Sequence, residues 1–225
     1  MQLLESIHLR TDEFSIKALT GIRQQYLNQK KITIISNNCW AGWVYRRYGL
    51  EYQSPTIGLY MFAHDYIDFC KHFDTYLHSH LQFIPANESR YYEELIKRDQ
   101  LDVPIGLLDN QIEIVFLHYS SEKEAYEKWT RRVKRVRMHN LAFKFSEMNL
   151  CTEKDIEEFD RLPYQKKVCF TANKYPFYQC CVPIEKVVKD GRVTDDTTYY
   201  ADYIHLTRFL NDGVIKLNKA VQTKY

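Results

Sequence analysis

With 225 residues and 45% apolar content, the chain is sized for one hydrophobic core, which can grow to about 250 residues, and is too short for two full catalytic domains. Seven Gly, six Pro and the lack of any low-complexity tract exclude collagen, fibre and disorder. Thirty-one basic against 29 acidic residues leave a net charge of +2, which excludes bulk nucleic-acid binding driven by counterion release and makes any anion site a local one.

Apolar positions Phe14, Ala18, Ile22 and Tyr26 predict a helix over 12–29, and the run from Lys31 to Ser36 reads as a buried strand followed by a helix over 38–48. A second strand is expected at 57–62. A helix at 64–78 follows, its stripe formed by Ile67, Cys70, Phe73 and Leu77, and then a short strand at 81–84 and a helix at 88–98. Residues 112–117 form the strongest strand pattern, being long and β-branched between polar turns. Ser121 and Glu124 have capping-box spacing and open a helix expected to run to Arg137. A strand at 141–145, a helix from Thr152 to before Pro163 and a strand at 167–171 complete the series, with an edge strand in 177–184 and a helix at 200–210 in the tail. Strands alternating with helices predict an α/β three-layer sandwich: a mostly parallel sheet with helices on both faces. We read residues 1–225 as one domain with an N-terminal helical segment (1–30) and a C-terminal extension (175–225).

The residues after each predicted strand are polar: Ser36, Asn37, Asn38 and Cys39; His64 and Asp65; His118, Tyr119 and Ser120; Ser146, Glu147 and Asn149; Thr171, Asn173 and Lys174. In an open α/β sheet these ends line the ligand crevice, although Asn and Ser there also serve as helix caps. The turn of Ser36, Asn37 and Asn38 precedes a helix whose free amides suit an anion. Cys39, in the first turn of that helix, is in a setting that lowers a thiol pKa, with His118 as a conceivable base. Dinucleotide, P-loop, HExxH and GxSxG fingerprints are missing, as is an Asp-x-Asp pair, and six cysteines without CxxC spacing argue against zinc and disulfides. The start has no leader pattern, no run approaches the roughly 20 apolar residues of a membrane span, and the chain is expected to be cytoplasmic.

The helix from Ser121 turns Ala125, Trp129, Val133 and Val136 inward and carries six basic residues between Lys128 and Arg137. Two of these have acids at i−4, which leaves Arg132, Lys134, Arg135 and Arg137 without a helical partner, and Arg131, Arg132 and Arg135 fall on or near an exposed arc. Such an arc is either a solvated face or a clamp for a nucleotide, a lipid-linked pyrophosphate or an anionic membrane surface.

Phrases in order, Ile34-Ile35-Ser36-Asn37-Asn38-Cys39-Trp40, Ser54-Pro55-Thr56, Pro104-Ile105-Gly106, Phe116-Leu117-His118-Tyr119, Trp129-Thr130-Arg131-Arg132, Phe159-Asp160 and Lys166-Lys167-Val168, resemble a bacterial family often labelled exopolysaccharide biosynthesis proteins. Ala41 stands where many members have a second glycine. The resemblance implies an α/β fold and a role in capsule or exopolysaccharide gene clusters, without naming a reaction. The expected function is a cytosolic transferase moving a sugar or substituent from a phosphate-bearing donor or lipid-linked saccharide. Cys39 and His118 would be catalytic; Ser36, Asn37, Asn38, Tyr119, Arg131, Arg132 and Arg135 would hold substrate. Neither metal nor cofactor is called for, nucleic acid is not a partner, and peripheral contact with the inner membrane is compatible. The alternatives are Cys39-dependent acyl transfer and a non-catalytic partner of the assembly machinery.

Overall fold

The structure, a computed structural model, describes residues 20–217. Residues 20–25 are helical (α1), and the part of the N-terminal helix expected before residue 20 lies outside the described residues. Then follow β1 (Thr33–Ser36), α2 (Trp40–Tyr48), α3 (Ala63–Lys71), α4 (Phe73–His78), β2 (Leu81–Ile84), α5 (Tyr92–Lys97), β3 (Ile105–Leu108) and β4 (Ile112–Val115). The second half holds α6 (Glu122–Val133), β5 (Leu141–Ser146), α7 (Glu153–Asp160), β6 (Lys167–Thr171), β7 (Cys181–Pro183), the short hairpin β8 (Val188–Lys189) and β9 (Arg192–Val193), α8 (Tyr200–Tyr203) and α9 (Leu206–Asp212).

Four strands form a parallel sheet in the order β1-β5-β6-β7. Their side chains alternate between two apolar surfaces, as the pleat requires. Ile35, Phe143, Phe145 and Cys169 point to the side of Tyr66, Trp129, Ile156 and Phe159 on α3, α6 and α7. Ile34, Ala142, Val168, Phe170 and Val182 point to Trp40, Val44 and Tyr45 on α2 and to Tyr203, Leu206 and Phe209 in the tail. The protein is therefore an α/β sandwich with helices on both faces of a parallel sheet, and the C-terminal extension supplies part of one layer.

A second sheet, β2-β3-β4, is antiparallel. It corrects two expectations. The 112–117 pattern is a strand only to Val115 and lies in this sheet, because β-branched burial does not reveal strand direction and because Asp109 and Asn110, both at positive φ, turn the chain back from β3. The strand expected at 57–62 is reduced to one bridge, Tyr60 with Val115; Gly58 at φ 75° breaks the extended run. Gly106 in β3 is needed sterically, since a Cβ there would stand 2.6 Å from the Phe116 ring and 2.7 Å from Leu81.

Helix ends differ for local reasons. The 64–78 helix breaks at His72 (φ −116°, ψ 35°) into α3 and α4. α6 stops at Val133 rather than Arg137, although Ser121 caps it by accepting from the Glu124 amide. Thr152 and Asp155 form a full capping box on α7. The tail helix is split at Ile204 and His205.

The antiparallel sheet is tied to α3 by a charged cluster. Asp65 on α3, 1% exposed, accepts from the Glu113 amide at 2.8 Å and from Arg90 Nη2 at 2.9 Å, while Glu113 accepts from Arg90 Nε at 2.9 Å. Burial pushes the Asp65 carboxyl up to about 6 against the Glu113 amide and Arg90, which pull it down, with Tyr91 also facing it. A raised carboxyl pKa means that the folded protein binds this proton more tightly than the unfolded chain, so the contribution is present at acid pH and lost as pH rises through 6. Relative to Asp65→Asn, the wild-type unfolding free energy should fall by about 2 kcal/mol between pH 4 and pH 7, measured by urea denaturation at each pH.

Candidate functional site at the carboxyl ends of the parallel strands

β1 runs through Ser36 into Asn37, Asn38 and Cys39, and α2 begins at Trp40. In parallel sheets the crevice for ligands opens at such strand ends. Here it is crossed by a buried ion pair. Lys144 alternates with Phe143 and Phe145 on β5 and so faces α2; it is fully buried, and its Nζ pairs with Asp196, also fully buried, from the C-terminal extension. Nζ also donates to Asn38 Oδ1 at 2.9 Å and to Asn37 Oδ1 at 3.4 Å. Asp196 is completed by Asn38 Nδ2 at 2.9 Å and by the Ser146 hydroxyl. The Trp40 and Phe170 rings lie 6.0 and 5.9 Å from the ammonium. Burial lowers the Lys144 pKa and Asp196 opposes that shift.

The turn expected to offer amides to an anion directs several of them to its own side chains. Trp40 N donates to Asn38 Oδ1 at 3.1 Å, and Ala41 N donates to Ser36 Oγ at 3.2 Å. Asn37 Nδ2 donates to the Ser146 carbonyl at 3.3 Å. Cys39 occupies the N-cap position and is half-buried. Its thiol is pushed up, mainly by burial, with Lys144 opposing and Asp196 adding. Desolvation thus outweighs the helix end that was expected to lower it.

His118 is exposed beyond β4, its amide donating to the Gly58 carbonyl at 2.9 Å. Gly58 is favoured by its positive φ, and a Cβ there would be tight against the Tyr119 ring at 3.3 Å. Tyr119 is buried and donates its hydroxyl to the Ile57 carbonyl. The 56–58 segment links this stretch to the β1 turn, since the Ser36 amide donates to Thr56 Oγ1 at 3.2 Å and the His118 amide to the Gly58 carbonyl.

The basic helix is not the exposed arc that the spacing predicts. Arg132 is buried, 7% exposed; its Nη1 donates to Tyr119 Oη and to the Ile57 carbonyl at 3.1 Å, and its guanidinium lies 5.4 Å from the Tyr52 ring. Arg135, beyond the end of α6, pairs with Glu51 at 3.0 Å and donates to the Tyr52 carbonyl at 3.4 Å. Arg131 is exposed. Two of the three are fastening the 51–57 segment to α6.

The other strand-end residues have separate duties. Glu147 accepts from Ala172 N at 2.7 Å and Tyr175 Oη at 2.7 Å, fixing the loop after β6, and Thr171 Oγ1 donates to the Asn173 carbonyl at 2.7 Å. Asn149 and Leu150 both adopt positive φ, and Asn149 Oδ1 accepts from Arg98 at 2.9 Å. His64 is exposed, 3.8 Å from Asp155. Among the described residues no helix is long and apolar enough to cross a membrane.

Lys144 and Asp196 are the residues that pattern reading missed. Lys144 carried a signal, a lysine between two phenylalanines in a buried strand; Asp196 carried none, because its partner is 52 positions away. Lys144→Met should cost about 3 to 5 kcal/mol in urea unfolding, since it leaves Asp196 buried and unpaired, and adding Asp196→Asn should recover most of the loss. Iodoacetamide should modify Cys39 before the fully buried Cys70 and Cys169, with a midpoint above the ordinary thiol value in a pH series.

A family model described as a domain of unknown function (DUF1919) matches residues 11–211, a span that includes β1, β5 and Asp196. The chain is also similar to an uncharacterized protein of Haemophilus influenzae (strain ATCC 51907 / DSM 11121 / KW20 / Rd), 33% identical over 172 residues, or 76% of this chain and 77% of that one. The family match spans most of the chain, which therefore belongs to the DUF1919 family.

Proposed function

We propose that the protein is a cytosolic transferase of capsule or exopolysaccharide synthesis that moves a sugar or substituent from a phosphate-bearing donor at the carboxyl ends of β1 and β5. The observation that carries this reading is the fully buried Lys144 beside the half-buried Cys39 at the ligand-accepting end of an open α/β sheet. Desolvated ionisable groups in such a place are the usual apparatus of acid-base or nucleophilic chemistry. His118 would act as general acid or base and the exposed Arg131 as a contact to the donor phosphate; in the alternative of acyl transfer, Cys39 would be the nucleophile. The pathway is proposed from the phrases between Ile34 and Val168 that resemble exopolysaccharide biosynthesis proteins, and a lipid-linked saccharide would bring the protein to the inner membrane surface.

A second reading, a non-catalytic partner of the assembly machinery, is favoured by one feature. Asn37, Asn38, Ser146, Lys144 and Asp196 hydrogen-bond to one another or to the adjoining backbone.

Incubation with nucleotide sugars and polyprenyl-phosphate-linked saccharides, read as release of nucleoside or polyprenyl phosphate, separates the two. Turnover that falls about a hundredfold or more in His118→Asn, at a melting temperature within a few degrees of wild type, is the expected result. Turnover unaffected by both His118→Asn and Cys39→Ala removes these residues from the chemistry. Donor affinity without turnover establishes the second reading.

A further inference from the structure

A cleft of about 530 Å³ lies at the opposite end of α2, between α1, the last turn of α2 and the segment from Ala201 to Lys216. It is lined by Arg23, Arg47, Arg208 and Lys216, with Tyr26 and Tyr48 among its walls. We propose that it binds a phosphoryl group, that of a phosphate monoester or a diphosphate, held by these four cations.

Four cations gather here around one carboxylate, Asp212. None of the four enters an ion pair among the described residues. A solvated basic face would leave every guanidinium nitrogen in contact with water. Instead Nη1 of Arg23 is buried and has no hydrogen-bond partner among the described residues. Arg23 and Arg47 are also close enough to repel: the Arg23 guanidinium is lowered first by burial and next by Arg47. Four cations lining one cleft suit one ligand type, a compact multivalent anion whose oxygens accept several N–H groups at once. The volume falls in the range of about 300 to 1,000 Å³ usual for small-molecule sites, so there is room for a group attached to the phosphate. Tyr26, 68% exposed, offers a ring to such a group.

The cleft stands apart from the strand-end cluster by the length of α2. Nine residues at 1.5 Å each place its two ends about 13 Å apart. The inference therefore holds or fails independently of the chemistry proposed for Cys39 and His118. The phosphoryl group would come either from a soluble ester or from a lipid headgroup.

Pyrophosphate titrated calorimetrically and by thermal shift into wild type, Arg23→Gln and Arg208→Gln tests the site. We expect pyrophosphate to bind wild type and raise its melting temperature, and Arg208→Gln to weaken binding more than tenfold. Arg23→Gln should melt at or above the wild-type temperature without ligand, because a repulsion is removed, and should lose the response to pyrophosphate. Sedimentation with phosphatidylcholine vesicles, with and without phosphatidic acid, distinguishes the sources: retention on the acidic vesicles that pyrophosphate reverses assigns a headgroup, and pyrophosphate binding without retention assigns a soluble ester. No response of wild type to millimolar pyrophosphate, an equal response in all three proteins, or a lower melting temperature of Arg23→Gln with binding intact would overturn the proposal.

Discussion

The pairing of Lys144 with Asp196 is the constraint on which the rest of the architecture depends. Both side chains are fully buried, and taking either charge out of water alone costs several kcal/mol. The strand-end residues and the C-terminal extension therefore take up positions that satisfy the pair together. Asn38 serves both charges at once, receiving from the ammonium and giving to the carboxylate, while also accepting the first amide of α2. One side chain thus couples the start of a helix, the middle of a strand and the tail. The extension that brings Asp196 also contributes Tyr203, Leu206 and Phe209 to the layer over β6 and β7, so the apolar and ionic parts of that contact reinforce each other.

A buried pair of this kind is weak evidence for stability, because well-packed apolar residues often do as well. Its placement is more telling. It sits where open α/β sheets expose their ligand crevice, with a half-buried thiol next in sequence to Asn38. Burial raises the Cys39 thiol, and the nearest cation works against that shift. The thiol is thus sensitive to anything that alters the ion pair, including movement of the loop that carries Asp196.

The antiparallel sheet has a different role. Through Asp65, Arg90 and Glu113 it is locked to α3, and through Gly58, Tyr119 and Arg132 the crossing segment is locked to α6. Arginine forms the hub in each case, which suits its planar set of donors. The second fastening consumes Arg132, which spacing alone would assign to a ligand. Four other cations, Arg23, Arg47, Arg208 and Lys216, line the cleft between α1, α2 and the segment that carries α9.

Much was legible from pattern alone. The β1, β5 and β6 segments, the α2 and α7 helices and the α/β class follow from local periodicity and capping, because each depends on residues within a turn or a strand of one another. The sequence by itself also excluded metal and nucleotide fingerprints and placed polar residues at the strand ends. Only the tertiary structure decided which of those residues meet. Strand direction in β3 and β4, burial of Arg132, and the partnership of Lys144 with Asp196 depend on contacts between positions far apart in the chain. The cleft draws Arg23, Arg47 and Arg208 from three separate segments. A single sequence records which side chains are charged or apolar, but distance and desolvation are set when segments pack, and those two quantities determine whether an arginine is a fastening or a ligand.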